Sequence, residues 1–199
     1  PGSAPYVLDD DFPEILLHNR QSAQDHKIQL QLQPEPFLGR VDAPVILLNL
    51  NPGFSEEDAR FYNSKFVQKI WQDNILHSES EYPFYLLNAN LDPKVGGTSW
   101  WMKKLKPLIQ LCGLQSVAQN VCCIEYFPYH SKRYKQLKSN LPSQKYSFYL
   151  VEKAVQSSAI FVIMRSKRNW IDAVPALASY NKLFELNSKQ NVIISKNNC

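Results

Sequence analysis

The sequence predicts an α/β fold, a three-layer α/β/α sandwich around a central, mostly parallel four-stranded sheet. Two observations support this prediction. Apolar runs of strand length alternate about four times with segments that carry a helical pattern. The runs are apolar at nearly every position, which is typical of parallel strands covered on both faces. Right-handed crossover connections then place helices on both sides of the sheet.

The first predicted strand covers residues 45–50 and ends in the turn Asn51-Pro52-Gly53. A helix is predicted to follow, because Ser55 and Asp58 have the spacing of a capping box. Residues 82–99 are predicted to form a long loop. Further helices are predicted from Ser99 to about Leu111 and over residues 143–155. The remaining strands are predicted at residues 121–127, 159–164 and 192–194.

A chain of 199 residues and 23.0 kDa suits one domain. Residues 1–40 are polar and irregular, and we interpret them as an N-terminal extension with a short helix. Residues 41–199 contain the alternating strands and helices, so they are predicted to form a single α/β domain.

The composition is that of an ordinary globular protein with a mildly basic charge. Lys and Arg total 22 against 18 acidic residues, which gives a net charge of +4 and permits contact with phosphates. The longest apolar runs, about eight residues, are too short to span a bilayer. No apolar leader opens the sequence and its four cysteines form no C-x-x-C pair. We therefore expect a cytoplasmic monomer without a membrane span, a metal cluster or a cofactor.

Ligands of open α/β sheets bind at the carboxyl ends of the strands, so the residues there are the informative ones. The common glycine-rich phosphate-binding motifs and the G-x-S-x-G nucleophile motif are missing from the sequence. The most specific signal is Asn51, which a Pro-Gly turn holds between an apolar strand and a capped helix. Such an amide is suited to hold a water or a polar ligand group; the alternative is that it closes an Asx turn.

The segment Leu48–Phe54 resembles the first active-site motif of the uracil-DNA glycosylase superfamily. It is closest to the single-strand-selective and mismatch-specific branches, whose motif ends in Asn-Pro-Gly. In element order the resemblance covers roughly residues 34–198. It implies that the domain 41–199 is a DNA repair hydrolase, which flips a base out of DNA and cleaves its N-glycosidic bond. Asn51 would orient the attacking water.

The same resemblance assigns further residues. Glu125 lies three residues before Pro128, where the single-strand-selective branch has a base-reading Asn. Residues 194–198 fill the place of the second active-site motif, which makes Ser195 and Asn197 the other candidate catalytic residues. The sequence departs from the family at two positions, since the motif-two His is missing and the base-reading Asn is a Glu.

The hydrogen bonds that Glu125 can form depend on the protonation of its carboxyl group. An ionised carboxylate only accepts hydrogen bonds, whereas a buried, protonated one donates to a base. The alternative is an ion pair with Arg165 or Lys132. Phe54 is the best candidate for stacking on a flipped base, and His130 is either a general acid, a phosphate contact or an ordinary surface residue. The predicted substrate-binding set is Pro52, Gly53, Phe54, Glu125, Phe127 and His130.

Basic residues follow three of the predicted strands, where they would surround the site and contact DNA phosphates. The alternative is that they are solvated loop residues. The predicted nucleic-acid-binding set is Lys132, Arg133, Arg165, Lys167, Arg168, Lys196 and Asn198. Two other functions remain open: a catalytically inactive nucleic-acid-binding protein of the same fold, and an α/β protein that binds a small molecule or nucleotide.

Overall fold

A computed structural model describes residues 4–94, 96–188, 190 and 192–199. It has an α/β fold, as predicted, but its sheet has five strands and is mixed. The strand order is β1-β3-β2-β4-β5, in which β1 is antiparallel to β3 and the other neighbours are parallel. The strands are β1 (Phe37–Leu38), β2 (Val45–Asn49), β3 (Val121–Glu125), β4 (Ile160–Ile163) and β5 (Leu183–Glu185).

Eight α-helices connect the strands in the described part of the chain. Short 3₁₀ turns at Gln24–His26, Tyr85–Leu87 and Pro175–Ser179 complete the connections. The helices are α1 (Phe12–Gln21), α2 (Glu56–Tyr62), α3 (Lys65–Ile75), α4 (Gly96–Lys104), α5 (Lys106–Cys112), α6 (Leu114–Asn120), α7 (Gln144–Gln156) and α8 (Lys167–Ala173). None of them has both the length and the apolar content to cross a bilayer.

The final strand differs from the prediction. Residues 192–194 are outside the sheet, and Ile194 N–H donates to the carbonyl of Lys104 at the end of α4 (2.9 Å). Val192 and Ile194 are nevertheless buried, so their apolar character reflects core packing and not a strand ladder. The last strand is instead β5, whose Phe184 is 47% exposed at the sheet edge. A short, half-exposed edge strand lacks the continuous apolar run that identifies a central one.

Two predicted helices are each divided in the structure. The apolar positions from Phe61 to Trp71 predict one helix after Ser55, but α2 ends at Tyr62 and α3 begins after Ser64. The helix predicted from Ser99 to Leu111 is divided between α4 and α5, with Pro107 in the first turn of α5. Proline lacks an N–H and fits only the first turn of a helix, so the break occurs there.

Side chains alternate across the sheet, and both faces are apolar. Ile46 and Leu48 of β2 pack in the cluster that contains Trp170 of α8. Leu47 packs on the opposite face with Trp101 of α4. This arrangement explains why the central strands are apolar at nearly every position.

The segment before residue 40 packs on the same core. Ile15 and Phe37 are buried, and β1 pairs with β3. The carboxylate of Asp11 accepts a hydrogen bond from the hydroxyl of Tyr129 (2.6 Å). The segment thus contributes a strand and buried side chains, while the domain boundary at residue 40 stays a prediction.

Gly39 provides a test of the packing between β1 and β3. Its φ is +102°, and an added Cβ would lie 2.6 Å from the carbonyl oxygen of Val121. We expect Gly39→Ala to lower the free energy of unfolding by about 3 kcal/mol, because strain and a backbone clash combine. Urea denaturation measures the change. Gly53→Ala is the control, since an added Cβ there meets nothing within 4 Å; equal losses for both variants would contradict the prediction.

Candidate functional site

A cavity of about 580 Å³ opens at the carboxyl ends of β2 and β3. We call it the site cavity. Its walls include the two strand ends, the turn Asn51–Gly53, residues of α2 and α4 and the loop after β3. Glu35, Leu86 and Arg165 complete the lining. A concavity of about 800 Å³ lies beside it at α8 and shares Leu50 and Arg165 with it. The site cavity is the one that contains the buried polar groups described below.

Hydrogen bonds between main-chain groups hold the walls together. Beyond the strand ladder, Phe127 N–H donates to the carbonyl of Leu50 (2.9 Å), and Ser131 N–H donates to that of Pro52 (3.3 Å). The loop after β3 therefore follows the turn after β2. The indole N–H of Trp170 donates to the carbonyl of Asn49 (2.9 Å) and anchors the end of β2.

The turn Asn51–Gly53 leads into a capped helix, as predicted. Ser55 N–H donates to the carboxylate of Asp58, which completes the capping box of α2. Asp58 lines the site cavity, and its Oδ1 is buried with no hydrogen-bond partner among the described residues. The cap thus contributes one polar atom to the wall.

The amide of Asn51 is held in one orientation. Its Nδ2 donates to the hydroxyl of Ser131 (3.0 Å) and to the carbonyl of Pro52 (2.8 Å). An Asx turn needs the side-chain oxygen as acceptor, and in the described part of the chain Oδ1 accepts no protein hydrogen bond. The side chain therefore does not close an Asx turn, and its oxygen is available to a water or ligand in the cavity.

Glu125 and Asn49 form a buried pair at the inner end of the site cavity. Glu125 Oε1 accepts a hydrogen bond from Asn49 Nδ2 (3.0 Å). The other oxygen, Oε2, and Asn49 Oδ1 are buried without a partner among the described residues. Unpaired buried polar atoms are costly, so these two atoms make Asn49 and Glu125 candidates for a hydrogen bond with a water or a ligand.

Burial, chiefly, raises the pKa of Glu125 to about 8, and the nearby Glu35 carboxylate adds to the shift. The hydrogen bond from Asn49 and the charge of Arg165 act in the opposite direction. At neutral pH the carboxyl is therefore protonated, and Oε2 is a hydroxyl donor. The alternative of an ion pair is not realised in the described part of the chain, where Lys132 pairs with Asp25 (3.2 Å).

Glu35 is a third buried acidic residue on the cavity wall, with Asp58 and Glu125, and the sequence interpretation missed it. Its Oε1 accepts hydrogen bonds from the hydroxyls of Tyr62 (2.6 Å) and Tyr85. Burial and the Glu35 charge raise the pKa of both tyrosines well above the ordinary value, so both remain donors. The sequence signal was slight, a single acid between Pro34 and Pro36.

His130 is 2% exposed, so the surface alternative is wrong. Its ring nitrogens lie 2.7 Å from the carbonyl oxygen of Gly53 and 3.0 Å from that of Gln33. A neutral imidazole has one N–H donor, so the tautomer decides which of the two carbonyls receives a hydrogen bond. Glu35 Oε2 lies 4.0 Å from Nε2. Both ring nitrogens of His130 thus face groups of the cavity wall.

The aromatic residues divide between wall and core. Phe54 and Trp100 are half-buried on the cavity wall, where Phe54 was predicted. Phe127 was predicted to bind substrate but is 1% exposed and packs between Tyr129 and Tyr134, each at 5.7 Å between ring centroids. The structure places Phe127 in the core and not on the cavity wall, since β3 ends at Glu125 and strand alternation does not extend to Phe127.

The basic residues are distributed over two surfaces. Lys132, Arg133 and Arg165 line the site cavity, and Arg165 forms no ion pair with a described residue. Arg133 Nε lies 3.6 Å from the Asp25 carboxylate. Lys167 and Arg168 line the concavity at α8, where they pair with Glu185 (3.1 Å) and Asp172 (3.6 Å).

The residues that follow Ile194 are not brought to the site cavity. Asn198 Nδ2 donates to the carbonyl of Ile193 (2.7 Å), and its Oδ1 accepts from Ser188 N–H (2.8 Å). These bonds hold the segment against residues 188–193. It does not follow a strand of the sheet, because β5 and not residues 192–194 is the last strand. The predicted roles of this segment in catalysis and phosphate contact therefore lack support in the geometry of Ser195, Lys196, Asn197 and Asn198, none of which lines the cavity.

Comparison of the chain with protein families, with curated proteins and with solved structures found no match in any of the three. Within the described residues, no group of three or more His, Cys, Asp or Glu side chains is placed to hold a metal ion.

The burial of Glu125 makes stability depend on pH. The folded pKa is about 8 against an ordinary 4.5, so between these values the unfolded chain loses a proton that the folded chain keeps. Stability contributed by the neutral carboxyl is complete below about 4.5 and is lost as the pH rises through about 8. The difference in the free energy of unfolding between Glu125→Gln and wild type should therefore change with pH. We expect it to be roughly 4 kcal/mol more favourable to the variant at about pH 9 than at about pH 5.

Denaturant titrations at the two pH values measure this difference. Glu152→Gln is the matched control, because Glu152 is exposed on α7 and its substitution should shift stability equally at both values. A constant difference between Glu125→Gln and wild type would show that Glu125 is ionised throughout.

Proposed function

We propose that the protein is a uracil-DNA glycosylase-like hydrolase, which cleaves the N-glycosidic bond of a base flipped out of DNA. The observation that carries this proposal is the pairing of two groups in one cavity. Asn51 offers a fixed amide oxygen to a water, and Glu125 offers a buried, protonated carboxyl to a base. The three-layer arrangement is part of the proposal, and the apolar clusters on both faces of the sheet support it.

The cavity suits an extruded base in size and chemistry. Its volume of about 580 Å³ lies in the range of small-molecule sites. Phe54 and Trp100 supply aromatic surface, and stacking of a base on such a ring contributes about 1–3 kcal/mol. Inside the cavity, Asn49 Oδ1 and Glu125 Oε2 are the unpaired atoms that would read the edge of the base.

The reaction follows from these positions. Asn51 Oδ1 accepts a hydrogen bond from a water. This contact orients the water so that a lone pair of the water oxygen faces the anomeric carbon of the sugar. As the new C–O bond forms, the C–N bond breaks and its electron pair leaves with the base. Glu125 donates its proton to the departing base, so no free base anion has to be stabilised. The attacking water loses its proton to solvent, from which Glu125 is protonated again.

One observation favours a second candidate, a nucleic-acid-binding protein that does not hydrolyse DNA. Both ring nitrogens of the buried His130 lie at hydrogen-bond distance from main-chain carbonyls. His130 therefore cannot replace the motif-two His, which the sequence lacks, in stabilising a leaving base. The two candidates differ in whether Glu125 transfers its proton.

A glycosylase assay tests the first candidate. The substrates are single- and double-stranded oligonucleotides that carry uracil, hypoxanthine, xanthine or a thymine mismatch, and alkali reveals abasic sites. We expect cleavage of at least one substrate, roughly 100-fold slower or worse in Asn51→Ala. The rate should fall as the pH rises through about 8, because Glu125 then loses the proton that it donates.

Asn90→Ala is the matched control for cleavage, because Asn90 is exposed and outside the site cavity. Retained binding without cleavage of any substrate would support the second candidate. Absence of both binding and cleavage would contradict both candidates.

Arg165 provides a separate test of DNA contact. It lines the site cavity and forms no ion pair with a described residue, so its charge is available to a phosphate. We expect Arg165→Gln to weaken binding of single-stranded DNA and to reduce the slope of log affinity against log salt by about one. Fluorescence anisotropy over a salt series measures both. Arg168→Gln, which removes a cation that lies beside Asp172, should change the slope less; equal slopes for all three proteins would contradict the contact.

A further inference from the structure

Two cations of the site cavity share one acid from the N-terminal segment. Lys132 and Arg133 line the cavity, and both lie against Asp25 of the 3₁₀ turn Gln24–His26. Lys132 Nζ is 3.2 Å from Asp25 Oδ1, and Arg133 Nε is 3.6 Å from Asp25 Oδ2. Each oxygen of the carboxylate thus faces one cation. Asp25 itself is not among the residues that line the cavity.

Main-chain groups hold the turn that carries Asp25 against the loop after β3. Arg133 N–H donates to the carbonyl of Asp25 (2.8 Å), and Gln29 N–H donates to that of His130 (2.9 Å). His26 Nδ1 lies 3.0 Å from the carbonyl oxygen of Arg133. None of these contacts uses the side chain of Asp25. Its carboxylate therefore leaves the two cations by a change of rotamer, while the turn stays in place.

The ion pairs of Asp25 are weak because water reaches them. The side chains of Lys132 and Arg133 are 62% and 71% exposed, and that of Asp25 is 37% exposed. Exposed pairs of this kind contribute little to stability. An anion that forms charge-assisted hydrogen bonds with both cations is therefore able to replace the carboxylate.

The cavity separates its charges. The acidic residues that line it are buried: Glu35, Asp58 and Glu125. The Lys and Arg residues that line it are exposed: Lys132, Arg133 and Arg165. The solvent-facing edge is therefore positive, and it attracts an anion that remains in water while its uncharged part enters the cavity. A nucleotide has this form, since Phe54 and Trp100 offer its base an aromatic surface and its phosphodiester group binds Lys and Arg.

We propose that Lys132 and Arg133 form a phosphate-binding position beside the site cavity, which the Asp25 carboxylate occupies in this structure. A phosphodiester group of single-stranded nucleic acid takes the place of the carboxylate when a base enters the cavity. Asp25 thus lowers the affinity for different strands by a similar factor, because phosphate contacts carry no sequence information. The proposal rests on the proposed function for the nature of the ligand, and not for its hydrolysis.

Fluorescence anisotropy with a labelled single-stranded oligothymidylate tests this exchange of anions. We expect Asp25→Asn to bind it about two- to fivefold more tightly at low salt, which is the effect of one exposed ion pair. The slope of log affinity against log salt should become steeper by about 0.7 for each cation that is released to a phosphate. Glu152→Gln is the matched control, because it removes an acid that is exposed on α7 and outside the cavity lining. Its affinity should stay near the wild-type value.

A double-mutant cycle separates the exchange from a general effect of charge. In a chain that carries both Lys132→Gln and Arg133→Gln, Asp25→Asn should no longer tighten binding, because the cations that it releases are missing. An equal gain in both backgrounds would overturn the proposal. Weaker or unchanged binding by Asp25→Asn alone would overturn it too, as would the absence of binding by both wild type and Asp25→Asn.

These outcomes are independent of cleavage. The expected gain and its loss in the cycle, without cleavage of any substrate by any variant, would support the phosphate position and contradict the proposed hydrolysis. Cleavage by the wild type, with an affinity that Asp25→Asn leaves unchanged, would support the proposed function and overturn the exchange.

Discussion

The site depends on the burial of acidic side chains in one cavity, which Glu35, Asp58 and Glu125 all line. Removing a charged carboxylate from water is costly, and adjacent charges would add repulsion to that cost. The surroundings of the two glutamates differ. Glu35 accepts hydrogen bonds from two phenolic hydroxyls, whereas Glu125 has an amide donor and a thiol. Burial raises the pKa of Glu125 and so favours its neutral form, which is the form that acid catalysis needs.

The sheet explains why these groups meet. β2 and β3 are parallel neighbours in register, so Asn49 and Glu125 lie opposite each other at their carboxyl ends. The antiparallel strand β1 runs the other way along β3, and it brings the loop that carries Glu35 to the same edge. A purely parallel sheet of this size would place that loop at the opposite end. The mixed edge of the sheet is therefore part of the site and not only of the fold.

Several parts of the site were predictable because their signals are local. The capping box at Ser55 and Asp58 and the Asn-Pro-Gly turn depend on spacing over a few residues, and the structure has both. Glu125 was identified from its place at the end of a predicted strand, three residues before Pro128. The structure places Phe127 in the core and the segment after Ile194 away from the cavity, since both positions depend on where a strand ends. Strand ends are set by pairing with distant segments, which a short apolar run does not reveal.

The sequence by itself determined the α/β class, the central strands and the residues at the ends of β2 and β3. Their causes are local: apolar periodicity, turn residues and helix caps act within a few positions of the chain. The tertiary structure decided which buried groups share a cavity, because Glu35, Tyr62, Tyr85 and His130 come from four distant segments. It also decided the protonation of Glu125, since its pKa depends on burial and neighbours that exist only in the folded state.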